Sequence, residues 1–545
     1  MLKRLIPKPG APVAAILACA IGATAYGEQT DAEKKKAEAA AEYLKAHGWS
    51  VQGPAQAKKT EAQKKKAEAA EEAAKKAADA ERKLHEPFFW RFDEAYREQL
   101  GTPCYVPAPP PSPDGKSDDK SAPPVTACRR GLPAPFDSPP YPMGEWQMGG
   151  TDTIGDPNTI DPGPLMQALY DGPSGEIWKN SKIMIRGWED FSGNISSSRN
   201  SATGQSNNFP EIYDERANRI EQNQFVLFVE RTADECQTDH MDWGFRASAI
   251  YGLDYRYMIS RGFLDRQLLV HNNFNGFDMP MMYFNLYIPW IAQGMNIRIG
   301  RIISEADIEA QLAPDNPMSS HSLLYGFDPY TDWGVFTTTK LNKNWTIQLG
   351  IDAGGDVAPW QADPGRQATG DVMFQYVSDD NKFSFYGGAN QFNRGNFGYN
   401  NLQQFVGTFS YKFNEWCWTS HETWYMFMRD VTTAPTSSVP FQNGFYPINP
   451  GYAAEFATLN YTFFRLAAGT FLTIRNEFFN DMDGSRTGFI AKYYETSMGI
   501  TWWPDKLVTV RPEIRWERAF GGATPYDDGT RKSQLTLQCD VIIHF

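Results

Sequence analysis

Beyond the N-terminus the chain has no run of about 18 consecutive apolar residues, the length a helix needs to cross a bilayer. That excludes a helical membrane protein. Basic charge is outnumbered, with 52 Lys and Arg against 65 Asp and Glu and a formal net charge of -13, whereas nucleic-acid binding runs on clustered cations. No nucleic-acid partner is expected. Cysteine is scarce, six residues in 545 and none in C-x-x-C spacing, so no metal site and no cofactor is expected. G-x-S-x-G, H-E-x-x-H and glycine-rich phosphate loops are absent too, and the chain is not read as an enzyme. Mean hydropathy is -0.51 although 14% of the residues are aromatic. Alternating strands dilute apolar side chains in this way.

The C-terminus carries the clearest positive signal. From Gln534 to Phe545, Leu535, Leu537, Cys539, Val541, Ile543 and Phe545 occupy every second position, and Gln534, Thr536, Gln538, Asp540, Ile542 and His544 alternate with them. Such a strand suits lipid on one side and a watery lumen on the other. Sixteen segments between 181 and 545 alternate with period two, the first near 181–195 and the last near 532–545. Long gaps (near 196–221, 258–280, 304–329, 356–368, 430–451 and 520–531) follow odd-numbered segments, while even-numbered ones are followed by short turns such as Asn342-Lys-Asn344, Phe464-Arg-Leu466 and Trp503-Pro-Asp-Lys506. Long and short connections alternate as in an outer-membrane barrel with both termini in the periplasm. The expected fold is an all-β transmembrane barrel of about sixteen antiparallel strands over residues 143–545, preceded by an α-helical periplasmic extension.

That extension reads in three parts. Lys3, Arg4, the apolar stretch Ala11 to Ala23 and the small residues Ala23-Thr24-Ala25 form a secretory signal over residues 1–25; a lipoprotein box at Ile16-Leu17-Ala18-Cys19 is the minor alternative, because the apolar run continues past the cysteine. Residues 26–101 are rich in Ala, Lys and Glu, with an imperfect repeat of 32–42 at 62–72, and Ala70, Ala73, Ala77, Ala80 and Leu84 share one helical face. A coiled-coil seam and a solvated helix both fit, and the small area that Ala buries favours the second. Residues 102–142 form a Pro-rich tether, in which Cys104 and Cys128 are the candidate disulfide pair.

Several blocks then carry a family resemblance. Gln237-Thr-Asp-His-Met-Asp-Trp-Gly-Phe-Arg246, Gly294-Met-Asn-Ile-Arg-Ile-Gly-Arg301, Leu323-Leu-Tyr-Gly-Phe-Asp-Pro-Tyr330, Tyr411-Lys-Phe-Asn-Glu415 and Thr423-Trp-Tyr-Met426 recur in the order found in the OmpL-like β-barrel porins, over roughly residues 145–545. The resemblance implies a bacterial outer-membrane location, transport without a named solute, and trimers formed through the barrel walls.

The strands themselves point to a polar lumen. In the third segment, read as 240–257, Trp243, Phe245, Ala247, Ala249, Tyr251, Leu253 and Tyr255 fall on one face and Asp242, Arg246, Ser248, Asp254 and Arg256 on the other. In the fifteenth, Val508, Val510, Ile514 and Trp516 oppose Thr509, Arg511, Glu513, Arg515 and Glu517. Unpaired charges in a dry interior cost several kcal/mol each, so the charged faces must meet water or partners. Expected pore-lining residues are Arg246, Arg256, Arg298, Asp307, Glu309, Arg511, Glu513 and Arg515, with the acidic loop near 304–329 folding inward against the arginines. Arginines pairing locally with Glu513, Glu517 and Asp254 is the competing arrangement. His421-Glu422 and His240 beside Asp239 and Asp242 read as turn or lumen residues rather than catalytic ones, and Asn480, Asp481 and Asp483 as a solvated loop rather than a calcium site. Two functions remain: an outer-membrane porin passing small hydrophilic solutes, or a structural anchor whose N-terminal helix binds cell wall or partner chains.

Overall fold

The computed structural model describes residues 61–102, 154–155, 162–199, 208–303, 307–361, 368–380, 382–393, 402–414, 416–429, 451–467 and 469–545. The signal segment, most of the Pro-rich tether and Cys104 and Cys128 lie outside them. Seventeen strands form one antiparallel sheet: β1 (Met184–Ser196), β2 (Ile220–Arg231), β3 (Asp242–Gly252), β4 (Gly276–Asp278), β5 (Met282–Ile288), β6 (Met295–Ile303), β7 (Thr331–Lys340), β8 (Trp345–Asp352), β9 (Thr369–Val377), β10 (Phe383–Phe392), β11 (Gln403–Asn414), β12 (Cys417–Arg429), β13 (Tyr452–Ala467), β14 (Thr470–Asp481), β15 (Ala491–Asp505), β16 (Val508–Phe520) and β17 (Ser533–His544). β4 and β5 both pair with β3 and are separated by Met279-Pro280-Met281, where proline removes a ladder donor. They make one span, so the barrel has sixteen. β1 pairs with both β2 and β17 and closes the ring.

Alternation explains why these segments are strands. In β17, Gln534, Thr536, Gln538 and Asp540 are buried toward the lumen, while Leu535 and Leu537 are 44% and 47% exposed on the outer wall. Short turns collect at the end that holds the chain terminus, and the long connections at the other.

Three details differ from the sequence reading. β13 runs on to Ala467 and β15 to Asp505, so the residues read as turns at 464–466 and 503–505 complete strands. β3 stops at Gly252, whose φ of 149° breaks the strand; a Cβ there would lie 2.1 Å from the Asn223 carbonyl oxygen. Asp254–Tyr257 consequently form a 3-10 turn, and Leu253 and Tyr255 are buried instead of facing outward. Arg256 thus belongs to the long connection after β3 and not to a strand face.

The chain divides into two compact units, residues 1–81 and 82–545. Within the first, the described part of α1 (Glu61–His85) leaves Ala70, Ala73, Ala77 and Ala80 exposed, with Lys76 and Glu72 paired at 2.7 Å one turn apart. In the second, α2 (Phe88–Gln99) packs on α3 (Pro164–Tyr170), which α4 (Gly175–Ser181) follows. Arg91 is buried there and donates from Nε to the Ala168 carbonyl at 2.9 Å. The Lys506 amide donates to the Thr102 carbonyl at 3.0 Å, which ties the end of α2 to the β15–β16 turn.

Candidate functional site

Antiparallel register builds the inner wall in rows. Tyr461, Arg475, Ser497, Arg515 and Thr536 stand side by side on β13 to β17, and one step toward the long loops stand Leu459, Glu477, Glu495, Glu517 and Gln534. A row of guanidinium groups therefore lies against a row of carboxylates. Arg475 Nε is 3.1 Å from Glu495, and its Nη2 is 3.4 Å from Glu513; Arg515 pairs with Glu517. All five side chains, Arg475, Glu495, Glu513, Arg515 and Glu517, are fully buried or nearly so. Charges at this depth hold only because each meets a counter-charge and hydrogen bonds.

The third long loop, from Ile303 to Thr331, crosses the lumen and binds this wall. Wall arginines donate to its carbonyls: Arg511 Nη1 to Ala313 and Asn316 at 2.7 and 2.6 Å, Arg475 Nη1 to Ser320 at 2.8 Å, and Arg515 to His321. Wall carboxylates accept from its amides: Glu422 from Ile308 at 2.7 Å, Glu513 from Ser320 at 2.9 Å, and Glu477 from Leu323 at 2.9 Å and from Leu324. The last two amides open the single-turn helix α5 (Leu323–Gly326), whose free N–H groups the Glu477 carboxylate and the Ser322 hydroxyl satisfy. Backbone groups that water would otherwise hydrate are thus held by the barrel.

Loop side chains add a second layer. Glu309 accepts from Tyr461 Oη at 2.7 Å and the Ser322 amide at 3.0 Å, sits 3.1 Å from His321 Nδ1, and lies 3.5 Å from Arg475. Burial pulls its carboxyl upward, but the His321 and Tyr461 bonds and the Arg475 charge outweigh burial and hold it at about 2. Asp307 shows the opposite balance: burial and the neighbouring Asp328 push it well above the usual carboxylate range. Beside them, rings stack in a continuous series, Tyr257 on Tyr213 at 4.3 Å, Tyr213 on His321 at 3.9 Å and His321 on Tyr325 at 4.8 Å. The first long loop contributes Tyr213, and Glu211 from the same loop accepts from Gln534 at 2.9 Å. Three long connections therefore meet in the lumen at this level, since Tyr257 follows β3.

Of the eight residues expected to line a pore, the structure brings Asp307, Glu309, Arg511, Glu513 and Arg515 to this loop–wall contact. The other three lie elsewhere. Arg246 donates to Glu230 at 2.7 Å, Arg298 to Gln348 at 3.1 Å, and Arg256 to Asn272 at 3.1 Å with Glu215 3.6 Å away. Carboxylate and guanidinium are in contact rather than facing one another over a gap, and Arg511 has its own partner in Asp540 at 3.0 Å. Arg475 and Glu477 were missed by sequence reading, although Thr473, Arg475 and Glu477 on β14 show the same alternation that marked β16, and Glu422 was weighed only beside His421 as a catalytic candidate.

The remaining candidates have simple explanations. His421 and Glu422 point to opposite faces of β12: Glu422 is buried in the lumen, while the His421 ring lies outside against Phe409, so it is not a lumen histidine. His240 is an exposed turn residue 3.0 Å from Asp239. Asp481 accepts from the amides of Ser485, Arg486 and Thr487 at 3.0, 3.1 and 2.7 Å, and Asp483 from that of Ala454 at 3.0 Å. Backbone donors occupy the oxygens that a calcium ion would need. Among the described residues no group of His, Cys, Asp and Glu is placed to hold a metal.

Residues 182–545 match the sequence model of the family described as "Putative beta-barrel porin-2, OmpL-like". The chain belongs to this porin family. Porins of this kind reside in the bacterial outer membrane, where short turns face the periplasm and long loops the exterior. No curated protein matches the sequence. Similar solved structures include an anion-selective porin from Comamonas acidovorans (10% identity, 67% of this chain and 99% of that one, TM-score 0.43), OmpT of Vibrio cholerae (9%, 67% and 97%, 0.41) and the outer-membrane channel DcaP of Acinetobacter baumannii (8%, 67% and 97%, 0.41).

Proposed function

We propose that the barrel is a diffusion channel for small hydrophilic solutes, tightly constricted where the third long loop meets β12 to β17. The observation that carries this reading is the charged inner wall. Paired rows of arginine and carboxylate would be costly in a protein that used its barrel only as a membrane foot, whereas they suit a passage that discriminates solutes by charge and size. Planar-bilayer recording of the purified protein tests it: discrete conductance steps are expected, and they are expected to persist when residues 26–142 are removed. A barrel that never conducts in either form would favour the anchoring role.

The same recording reads out the pore residues. Arg511→Ala is expected to shift the reversal potential toward cation preference, because it leaves Asp540 uncompensated beside the loop, and Arg298→Ala to do so less, since Arg298 sits on the opposite flank with Gln348. Glu309→Gln is expected to move it toward anions, whereas Asp307→Asn is expected to change it little, because burial and Asp328 favour the neutral Asp307 carboxyl. Unchanged reversal potentials in the Arg511, Arg298 and Glu309 variants would place the selectivity elsewhere.

A further inference from the structure

The two limbs of the third long loop meet at three carboxyls. Asp307 lies at the start of the loop and Asp328 near its end, and the Asp307 side chain is within hydrogen-bond reach of both Asp328 and Glu422 on β12. All three are buried, at 4%, 3% and 0% exposure for Asp307, Asp328 and Glu422. Glu422 Oε2 accepts from the Ile308 amide at 2.7 Å, and Asp328 Oδ1 accepts from Gln404 on β11. Among the described residues, Asp307 Oδ1, Asp328 Oδ2 and Glu422 Oε1 receive a hydrogen from no other group. Buried acceptors left in this way are costly.

Elsewhere in the lumen each carboxylate meets a guanidinium, but here the surroundings add acid rather than base. The loop itself supplies Glu309, Tyr325 and Tyr330, with Tyr213 of the first loop beside Tyr325 and Asp356 of the β8–β9 connection accepting from the Tyr330 amide at 3.1 Å. Arg475 and His321 are taken by Glu309, 3.5 and 3.1 Å away. The cation facing Asp328 is Arg486 of the β14–β15 connection, which lies 3.8 Å from Glu455 on β13 and forms no ion pair with Asp328. Three touching carboxylates without a cation among them cannot all stay ionised. Burial, together with Asp328 for Asp307 and with Glu422 for Asp328, lifts both loop carboxyls well above the usual carboxylate range.

We infer that Asp307, Asp328 and Glu422 form a proton site: hydrogens shared among the three carboxyls bind the two limbs of the third long loop to each other and to β12, so the loop is seated while the protons are held and loosens when they leave. Each proton lost would leave a further unpaired charge in a buried place. A seated loop binds more protons than a loose one, whose carboxyls in water titrate at about 4, so seating is strongest below about pH 4 and weakens as the pH rises. Conductance then rises with pH as well. That consequence rests on the channel reading, whereas the seating itself does not.

The test uses the full-length mature protein in lipid vesicles, with Ser319→Cys placing a thiol on the buried part of the loop. Its labelling by iodoacetamide is read by peptide mass spectrometry and compared, at each pH, with the same chain unfolded in urea. Protection is expected to fall roughly tenfold or more between about pH 5 and about pH 9. In Asp307→Asn/Asp328→Asn/Glu422→Gln the amides carry hydrogens at every pH, so protection is expected to stay high and flat, with the heat-induced mobility shift in gels confirming an intact barrel. Asp307→Asn alone is expected to keep a transition moved to higher pH, because two carboxyls repel less than three. Wild-type protection that does not change with pH, a transition that persists unaltered in the triple variant, or one that Asp307→Asn leaves in place would each overturn the assignment. Single-channel conductance over the same range separates the two readings: a loop that loosens in a protein that never conducts upholds the proton site and sinks the channel.

Discussion

Replacing residues 307–327 with a short Gly-Ser linker is expected to raise single-channel conductance severalfold. The loop brings Ile308, Met318, Leu323, Leu324, Tyr325 and Phe327 into the lumen, where they are buried against Trp424, Tyr461 and Phe479 of the wall, and side chains packed to that density leave no continuous water file through the space they occupy. A sixteen-strand barrel without such an insertion holds an aqueous channel. Removing the loop also frees Arg475, Arg511 and Arg515 from its carbonyls, so the wider pore should favour anions more than the parent does. Folding is checked by the heat-induced shift in gel mobility. A folded variant with the parent conductance would show that the narrowest point lies outside this loop.

Arg475→Ala is the substitution with the largest expected effect on stability. One guanidinium is shared by Glu309 at 3.5 Å, Glu495 at 3.1 Å and Glu513 at 3.4 Å, and it also donates to the Ser320 carbonyl. Truncation leaves three carboxylates facing one another in a site closed to water. Breaking a buried pair in this way costs about 3–5 kcal/mol. Urea unfolding in lipid vesicles should show a loss of that order, and Arg475→Met with Glu309→Gln and Glu495→Gln should recover part of it, because removing charges of both signs spares the uncompensated ones. A change below about 1 kcal/mol in the single variant would mean that solvent reaches these carboxylates in the folded barrel.

Much of the architecture is legible one strand at a time. Period-two alternation is a local property, since neighbouring side chains on a strand must face opposite solvents, and lipid and lumen demand opposite chemistry. The sixteen spans, the alternation of long and short connections and the division of β16 into Val510 and Ile514 outside against Arg511 and Arg515 inside therefore follow from the order of residues alone. Where the reading failed, a local device intervened: Gly252 ends β3 early and takes Arg256 off the wall, and Pro280 splits one span in two.

The constriction was only half legible. Alternation tells which face a side chain occupies, but not at what height or azimuth it stands, because those follow from strand register and from the closure of β1 on β17. Thus the acidic third loop could be singled out by its length and charge, and the arginine-rich face of β16 by its pattern. That Glu309 would meet Tyr461, that Ser320 would lie between Arg475 and Glu513, and that Arg298 would stand apart with Gln348 are contacts between residues far separated in the chain. The sequence by itself determined a sixteen-span barrel with an apolar outside and a charged inside; only the tertiary structure decided which charges meet, since burial makes pairing obligatory but leaves the choice of partner to geometry.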